Sequence, residues 1–515
     1  MPESNSKVEV VDVAIVGGGP TGLLTGLLLH RLGVSVSILD AKSQSLDLGR
    51  ADALNARTQQ YLTVVGILDE LLPLGLKCNT SSTFGEGDFI SRQNKWWVSL
   101  EHTLHKNFLM IGQPVIEKIL SSRLDGLVHY GEQVETLLET DDFVQVVTKS
   151  GRTVRAKYAL GADGAKSTVR AAIGATFTGT KPEMLWAVLD TFIDTDFPTC
   201  PEIITFQLNG QSRVSWIPRE RGLCRFYVLL EGEVTQERAE DSIKKHLAPY
   251  RTEFIKTEWY STFDVKERIA SSFISKDGVG RVFLAGDAAH VHSVNGGQGL
   301  NTGIADAFSL AWRLALVLNQ SSSLRLQAGA AKTLLQSYDI ERRQTAQGVI
   351  DVAAALVRDT VHTAKQYVGT IERNAGYITG MGVAYDGMES PAVQESEHGF
   401  WRAGKRCPDV VLSKPEVDGD IWLYSQVTYG KYLILAIGDH PEQVLAHADV
   451  AVLFNILPSS AKAEGVASCK ARAFAADWAE PSESFAVLVR PDMYIGYVGA
   501  DIESCQRYLD RFFIR

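Results

Sequence analysis

Long apolar runs are missing from this chain: nowhere in its 515 residues does one approach the roughly 18 that a membrane-spanning helix needs. No membrane partner is expected. Cysteine is sparse and scattered, at Cys78, Cys200, Cys224, Cys407, Cys469 and Cys505. No two of these have the spacing of a zinc knuckle or a redox dithiol, so free thiols in a reducing, cytoplasmic setting are the expectation. The opening MPESNSKVEVVDVAIVGGGP lacks a basic stretch ahead of an apolar core, which argues against a secretory signal. Concentrated positive charge is missing too. Lys and Arg total 51 against 61 Asp and Glu, for a formal charge of -10. A nucleic-acid surface wants the opposite balance, so no such partner is expected.

What is present is an ordinary globular composition, 45% hydrophobic, in a chain too long for one core. About two or three domains should share it. Val10 to Val16 reads as a buried strand, Thr21 to Arg31 as a helix stopped by Gly33, and Val34 to Leu39 as a second strand ending in Asp40. That is a βαβ unit of a parallel sheet. A helix follows Pro114, then hairpin strands through VETLLETDDFVQVVTKSGRTVRAKYALGADG. Pro182 to about Tyr260 alternates with period two around the turn signals NG and RERG, and reads as mostly a separate antiparallel layer. Val282 to Ala285 is another buried strand, and helices are expected over Leu300 to Leu318 and from Leu334 to about Lys365. A small α/β unit should close the chain from about residue 405.

IVGGGPTG places Gly17, Gly19 and Gly22 as GxGxxG between strand and helix, with Pro20 and Thr21 opening the helix. The glycines serve a tight turn, a close approach to pyrophosphate and close packing of helix on strand. Asp40 follows at the distance of an acid that grips ribose hydroxyls, and the helix N-terminus faces the phosphates. LGADGAKSTVR sets Asp163 and Gly164 after a second buried strand. VFLAGDAAHVHSVNGGQGLNTGIADAF does the same for Gly286 and Asp287, then adds Gly296, Gly297 and Gly299 ahead of a helix. His290 and His292 have no further converging ligands, and a metal needs about three or four. No metal is expected.

These three pieces resemble the class A FAD-dependent aromatic hydroxylases, and the resemblance covers nearly the whole chain. It implies an α/β fold: a Rossmann-like FAD-binding domain, an antiparallel-sheet substrate domain and a C-terminal thioredoxin-like domain. The implied segments are 1–181 and 276–400 for FAD, with substrate-side insertions near 75–115, then 182–275 for substrate and 405–515 for the last. Gly17, Gly19, Pro20, Thr21, Gly22 and Asp40 would hold the ADP half of FAD. Asp163 would lie beside the cofactor and the nicotinamide path, Gly286 and Asp287 on the ribityl chain. Gly297, Gly299, Leu300 and Asn301 would surround the isoalloxazine edge.

The likeness is nearest to the phenol hydroxylase-like members. GRADALNARTQQYL matches their segment with an acid near substrate, here Asp52, and an arginine near the flavin phosphates, here Arg57; Arg50 joins the cofactor set. WIPRERGLCRFYVLL matches a strand whose arginine and tyrosine reach the active site, here Arg225 and Tyr227. Flanking Phe226, both leave one face of a strand. The implied reaction uses NADPH or NADH and molecular oxygen: a phenolic or related aromatic substrate, bound by Asp52, Arg225 and Tyr227, attacks a flavin C4a-hydroperoxide. The plainer reading, an ordinary Asp52–Arg225 ion pair with Tyr227 as core, stays open. So do epoxidation, Baeyer–Villiger or dearomatising outcomes, and a flavin-fold binding protein. LVRPDMYIGYVG resembles the RPDGYVG signature of the thioredoxin-like domain, with Met493 where glycine is usual, and a homodimer is common among relatives. Val294 stands where the family normally has proline.

Overall fold

β1 (Glu9–Val16), α1 (Pro20–Arg31) and β2 (Val36–Asp40) build the anticipated βαβ unit, with ends shifted by one or two residues. The computed structural model describes residues 8–515 apart from 96, 98–99, 183, 199–200, 294–295, 322–323, 360–363, 415–416, 441–443 and 461–471. Val294, Cys200 and Cys469 therefore lie outside the described residues. Helix α2 (Ala56–Val65) is capped by Asn55, whose side chain accepts from the Thr58 N–H. Strands β3 (Thr80–Gly85) and β4 (Asp88–Lys95) follow, then β5 (Thr153–Gly161).

The first sheet runs Val128–Tyr130, β2, β1, β5, Val144–Thr148, Val134–Glu139. β5 is long enough to carry two neighbours on one edge. Its first half pairs antiparallel with Val144–Thr148, and its last residues pair in parallel with Val282–Leu284. Leu23, Leu24, Leu27, Leu28 and Leu29 of α1 are buried to within 1%. At about 1.5–3 kcal/mol per buried side chain, they bind this helix firmly between the sheet and its neighbours.

The second sheet is built from β6 (Leu185–Thr195), β7 (Ile203–Leu208), β8 (Gln211–Pro218), β9 (Cys224–Leu229) and β10 (Thr252–Asp264), with α3 (Gln236–Leu247) between the last two. Its order is β10-β6-β9-β8-β7-β3-β4. The NG turn is present, Asn209 and Gly210 both having positive φ, as a two-residue hairpin requires. Two features add to the sequence reading. The pairings among β6 to β10 are antiparallel, and β3 enters from far upstream to pair with β7 in parallel. The layer also contains α3, whose charged residues hid a buried stripe at Ala239, Ile243 and Leu247. That stripe packs on Phe84, Phe206, Trp216 and Phe226, one face of the sheet. The other face is left for a cavity.

β11 (Val282–Leu284) returns to the first sheet, followed by α4 (Gly299–Leu318) and α5 (Ala330–Asp359). The last unit holds β12 (Tyr432–Ile437), β13 (Ala451–Pro458), β14 (Phe485–Val489), β15 (Ile495–Gly499) and α6 (Ile502–Leu509). β12 pairs in parallel with β13 and antiparallel with β14, which pairs antiparallel with β15. Among the described residues no helix is long and apolar enough to cross a membrane.

Candidate functional site

Val16 aligns with Gly161 and with Leu39, and Gly161 aligns with Leu284. The parallel strands thus end together, so the three motif loops open at one edge of the sheet, where α/β proteins place ligands. Gly17 has φ +113, and a Cβ there would lie 2.2 Å from the Ala162 carbonyl oxygen. A Cβ on Gly22 would lie 1.9 Å from the Gly17 oxygen. Gly19 differs: nothing lies within 4 Å of its would-be Cβ. Asp40 is buried and accepts from the Gly18 N–H (2.5 Å) and the Lys42 N–H (2.7 Å), fixing the glycine loop. The Lys42 ammonium also lies 3.3 Å from Oδ2, and a carboxylate's roughly four acceptor positions still leave room for a ribose hydroxyl.

Asp163 Oδ2 accepts from the Thr168 and Val169 N–H groups at 2.7 and 3.2 Å, while its buried Oδ1 has no protein partner. Burial pushes its pKa up against the pull of Ser167 and these N–H groups. Asp287 makes no hydrogen bond with the described residues. Its carboxylate opens into the cleft, where the dense surrounding protein raises its pKa while His290 and Arg50 draw it down. Arg50 is exposed, with φ +67. Gln298, at the start of α4, keeps both side-chain polar atoms buried and unpartnered, as does His292 at Nε2. An open glycine cradle, orphaned buried polar atoms and a free acid at strand ends are what FAD requires. The residues present fit it.

The histidines have structural tasks. His290 Nε2 lies 2.8 Å from Asp306 Oδ2, which also accepts from the Gly286 N–H at 2.9 Å. Arg342 holds the other Asp306 oxygen at 2.8 Å. Despite burial, His290 and Arg342 bring the Asp306 pKa down to about 2. His292 Nδ1 bonds the Ser293 carbonyl, and burial brings its pKa down to about 4. Among the described residues no cluster could hold a metal ion.

Beside the α4 loop lies a cavity. Gly296 and Gly297 line it from the loop before α4, and Asp52 and Tyr227 line it too. Tyr227 Oη donates to Asp52 Oδ2 at 3.4 Å, and Arg225 Nη1 stands 3.3 Å from the same oxygen. Phe226 points the other way, into the sheet's apolar core. Burial, then Asp52, pushes the Tyr227 phenol well above its ordinary pKa. Burial opposes the charge on Arg225, but Asp52, Tyr227 and Asp190 outweigh it and raise its pKa.

Sequence reasoning missed Asp190. It takes the full fork of Arg225, Nε to Oδ1 and Nη2 to Oδ2, each at 2.6 Å. Asp190 lies directly opposite Arg225 in the strand register. Its signal was an acid inside the apolar run LWAVLDTFI. The Arg225–Asp52 contact is thus the looser of the arginine's two ion pairs.

Three of the expected cofactor residues have protein partners. Arg57 lies on α2. Its guanidinium donates to Gln60, Tyr424 Oη and the Asp492 and Met493 carbonyls, tying α2 to the C-terminal unit. Asn301 spends its side chain on protein: Oδ1 accepts from the Asn55 N–H, and Nδ2 donates to Gly297 and Ala53 oxygens. It shapes the loop, so any cofactor contact of its own runs through its backbone. Thr21 packs its hydroxyl between α1 and α4, where a Cβ on Gly286 or Gly303 would lie 2.8 or 2.4 Å from Oγ1. The remaining expected residues, Pro20, Gly299 and Leu300, begin helices α1 and α4 at this cleft.

A sequence profile described as the FAD binding domain matches residues 10–353, well over half of the chain. A rifampicin monooxygenase of Streptomyces venezuelae is 31% identical over 67% of this chain and 71% of its own. A phenol 2-monooxygenase of Aspergillus fumigatus is 28% identical over 85% of this chain and 77% of its own. A FAD-dependent monooxygenase of Aspergillus thermomutatus matches at 28%, but over only 62% of its own length. Among solved structures, the OxyS anhydrotetracycline hydroxylase from Streptomyces rimosus superposes with TM-score 0.72 at 26% identity, covering 98% of this chain and 99% of that one. The chain therefore belongs to the FAD binding domain family, among the FAD-dependent aromatic hydroxylases.

Proposed function

We propose that the protein is an FAD-dependent monooxygenase, driven by NADPH or NADH, that hydroxylates a phenolic or related aromatic substrate in the cavity beside Asp52. One observation carries this reading: a single cavity is bounded by the α4 glycine loop on one side and by Asp52 and Tyr227 on the other. Bound FAD would supply the redox chemistry, with electrons from NADPH or NADH and the inserted oxygen atom from molecular oxygen. The chain's part is to bind and orient. Asp52 accepts the hydrogen bond of a substrate hydroxyl. Tyr227, a neutral phenol at physiological pH, donates to the oxygen on which negative charge develops. Arg225, clamped by Asp190, sets a fixed positive charge behind both. We read the C-terminal unit, whose β13-β12-β14-β15 core carries one parallel and two antiparallel pairings, as thioredoxin-like without a redox dithiol. Its task is packing.

The test is anaerobic reduction of the bound flavin by NADPH and by NADH with a panel of phenols, followed by product mass after admitting air. Ligand-accelerated reduction and a gain of one oxygen support the reading. A flavin that neither donor reduces, with any ligand, overturns it.

A further inference from the structure

The cavity face of the second sheet carries a row of hydroxyls in strict register. Thr83 on β3 pairs with Thr205 on β7. Thr205 pairs with Ser215 on β8, and Ser215 with Tyr227 on β9. Residues paired across strands share a face, and all four line the cavity. They form a rung across four adjacent strands, perpendicular to the chain direction. Neighbouring strands lie about 4.8 Å apart, so the rung is roughly 14 Å long. It ends at Tyr227, beside Asp52.

Three of these hydroxyls, on Thr83, Thr205 and Ser215, make no hydrogen bond with the described residues. Thr83 and Thr205 are only 4% and 8% exposed. They open onto the cavity, and a ligand that displaced water from them without pairing them would lose on the order of 1–3 kcal/mol at each, so the face favours a ligand that satisfies them. The surround is apolar and flat, with Trp97, Phe108 and Trp186 on the remaining walls. A lone phenol would reach one rung position and leave the rest unpaired.

We propose that Thr83, Thr205 and Ser215 are specificity-determining residues that read a line of oxygen substituents along one edge of an extended, multi-ring aromatic substrate. The reacting hydroxyl sits at the Tyr227–Asp52 end, and the remote oxygens take the other three positions. Binding along the rung fixes which ring carbon faces the cofactor, remote contacts thereby serving orientation at the reacting centre. This inference rests on the aromatic-hydroxylase reading of the same cavity.

The experiment uses the FAD-loaded full chain in its oxidised form, so that binding is read without turnover. Flavin absorbance perturbation gives the Kd of phenol and of 2,6-dihydroxyanthraquinone, whose hydroxyls sit at opposite ends of the ring system, for the parent, Thr205→Val, Thr205→Ser and Ser215→Ala. The anthraquinone should bind at least tenfold more tightly than phenol. Thr205→Val should weaken the anthraquinone about tenfold more than it weakens phenol, and Thr205→Ser should restore it. Equal affinities for the two probes, or equal losses in Thr205→Val, overturn the proposal. NADPH oxidation separates the two readings. Rung-dependent binding that never speeds it leaves the rung standing and sinks the monooxygenase; phenol-stimulated oxidation with binding indifferent to Thr205 does the reverse.

Discussion

Arg490 grips both carboxylate oxygens of Glu341, Nη1 to Oε1 at 2.6 Å and Nη2 to Oε2 at 2.7 Å, with both side chains wholly buried. Glu341 lies on α5 and Arg490 directly after β14, so the pair joins the C-terminal unit to the FAD-side helices. Arg313 of α4 binds Glu341 at 2.6 Å, and Asp492 binds Arg490 at 2.6 Å. Two cations and two anions close a ring without solvent. Glu341→Ala would leave Arg313 and Arg490 sharing Asp492 alone, a loss of roughly 3–5 kcal/mol for a broken buried pair. Thermal melting should show a large drop, and an unchanged melting temperature would refute the role.

The glycine loop separates fold from ligand. Gly17→Ala drives a Cβ into the Ala162 oxygen at 2.2 Å and should destabilise the protein even without cofactor. Gly19 has ordinary φ, -83°, and open space beside it. Gly19→Ala should leave apoprotein melting unchanged yet weaken FAD at least tenfold by occupying the pyrophosphate approach. FAD titration of both apoproteins checks this; equal FAD affinity for Gly19→Ala and parent would exclude the assigned contact.

The contrast between these glycines also shows what was legible beforehand. The places of Gly17, Asp40, Asp163 and Asp287 at strand ends were readable because each motif is local, a strand end followed by a turn of required shape. Arg57 was not, since Tyr424 and Met493 lie 367 and 436 residues away and nothing near Arg57 announces them. The parallel pairing of β3 with β7 was hidden for the same reason, and with it the hydroxyl rung. Asp190 needed the register of β6 on β9 before its acid could be matched to Arg225. Period-two alternation did place Arg225 and Tyr227 on one face correctly.

Tyr227 and Asp190 should fail differently. Tyr227→Phe removes a hydroxyl whose 3.4 Å bond to Asp52 is long, so stability should barely change. Removing one donor to developing charge typically costs about 10²–10³ in rate, and hydroxylated product should fall accordingly. Asp190→Ala instead strands a buried guanidinium and should lower both activity and melting temperature. Identical melting losses in the two variants would contradict this division.

Stability should fall on acidification in two stages. Burial lowers His105 and His292 from an ordinary value near 6.5 to about 4. Between pH 6.5 and 4 the unfolded chain binds protons that the folded chain refuses, so stability declines as pH falls through that window. Glu341 and Asp306 are brought down to about 2 by their cationic partners, despite burial. Their contribution is complete above ordinary carboxylate values and is lost as pH drops toward 2. His292→Gln should reduce the slope between pH 6.5 and 4 while leaving the lower stage intact. Melting curves across pH test it, and an unaltered upper slope would remove His292 from the account.

Met493 occupies the signature position where glycine is usual, and the backbone explains why glycine suits it: φ is +62°. A left-handed, non-glycine residue costs about 1–2 kcal/mol. Yet the side chain is 0% exposed, inside the main apolar core, and truncating a buried methionine costs roughly 2–5 kcal/mol. The packing loss is the larger of the two. Met493→Gly should therefore lower the melting temperature modestly, a net loss on the order of 1–3 kcal/mol. The Met493 carbonyl should still accept from Arg57 Nη2, because glycine holds the same backbone shape. A Met493→Gly protein that melts higher than the parent would mean that backbone strain outweighs the packing.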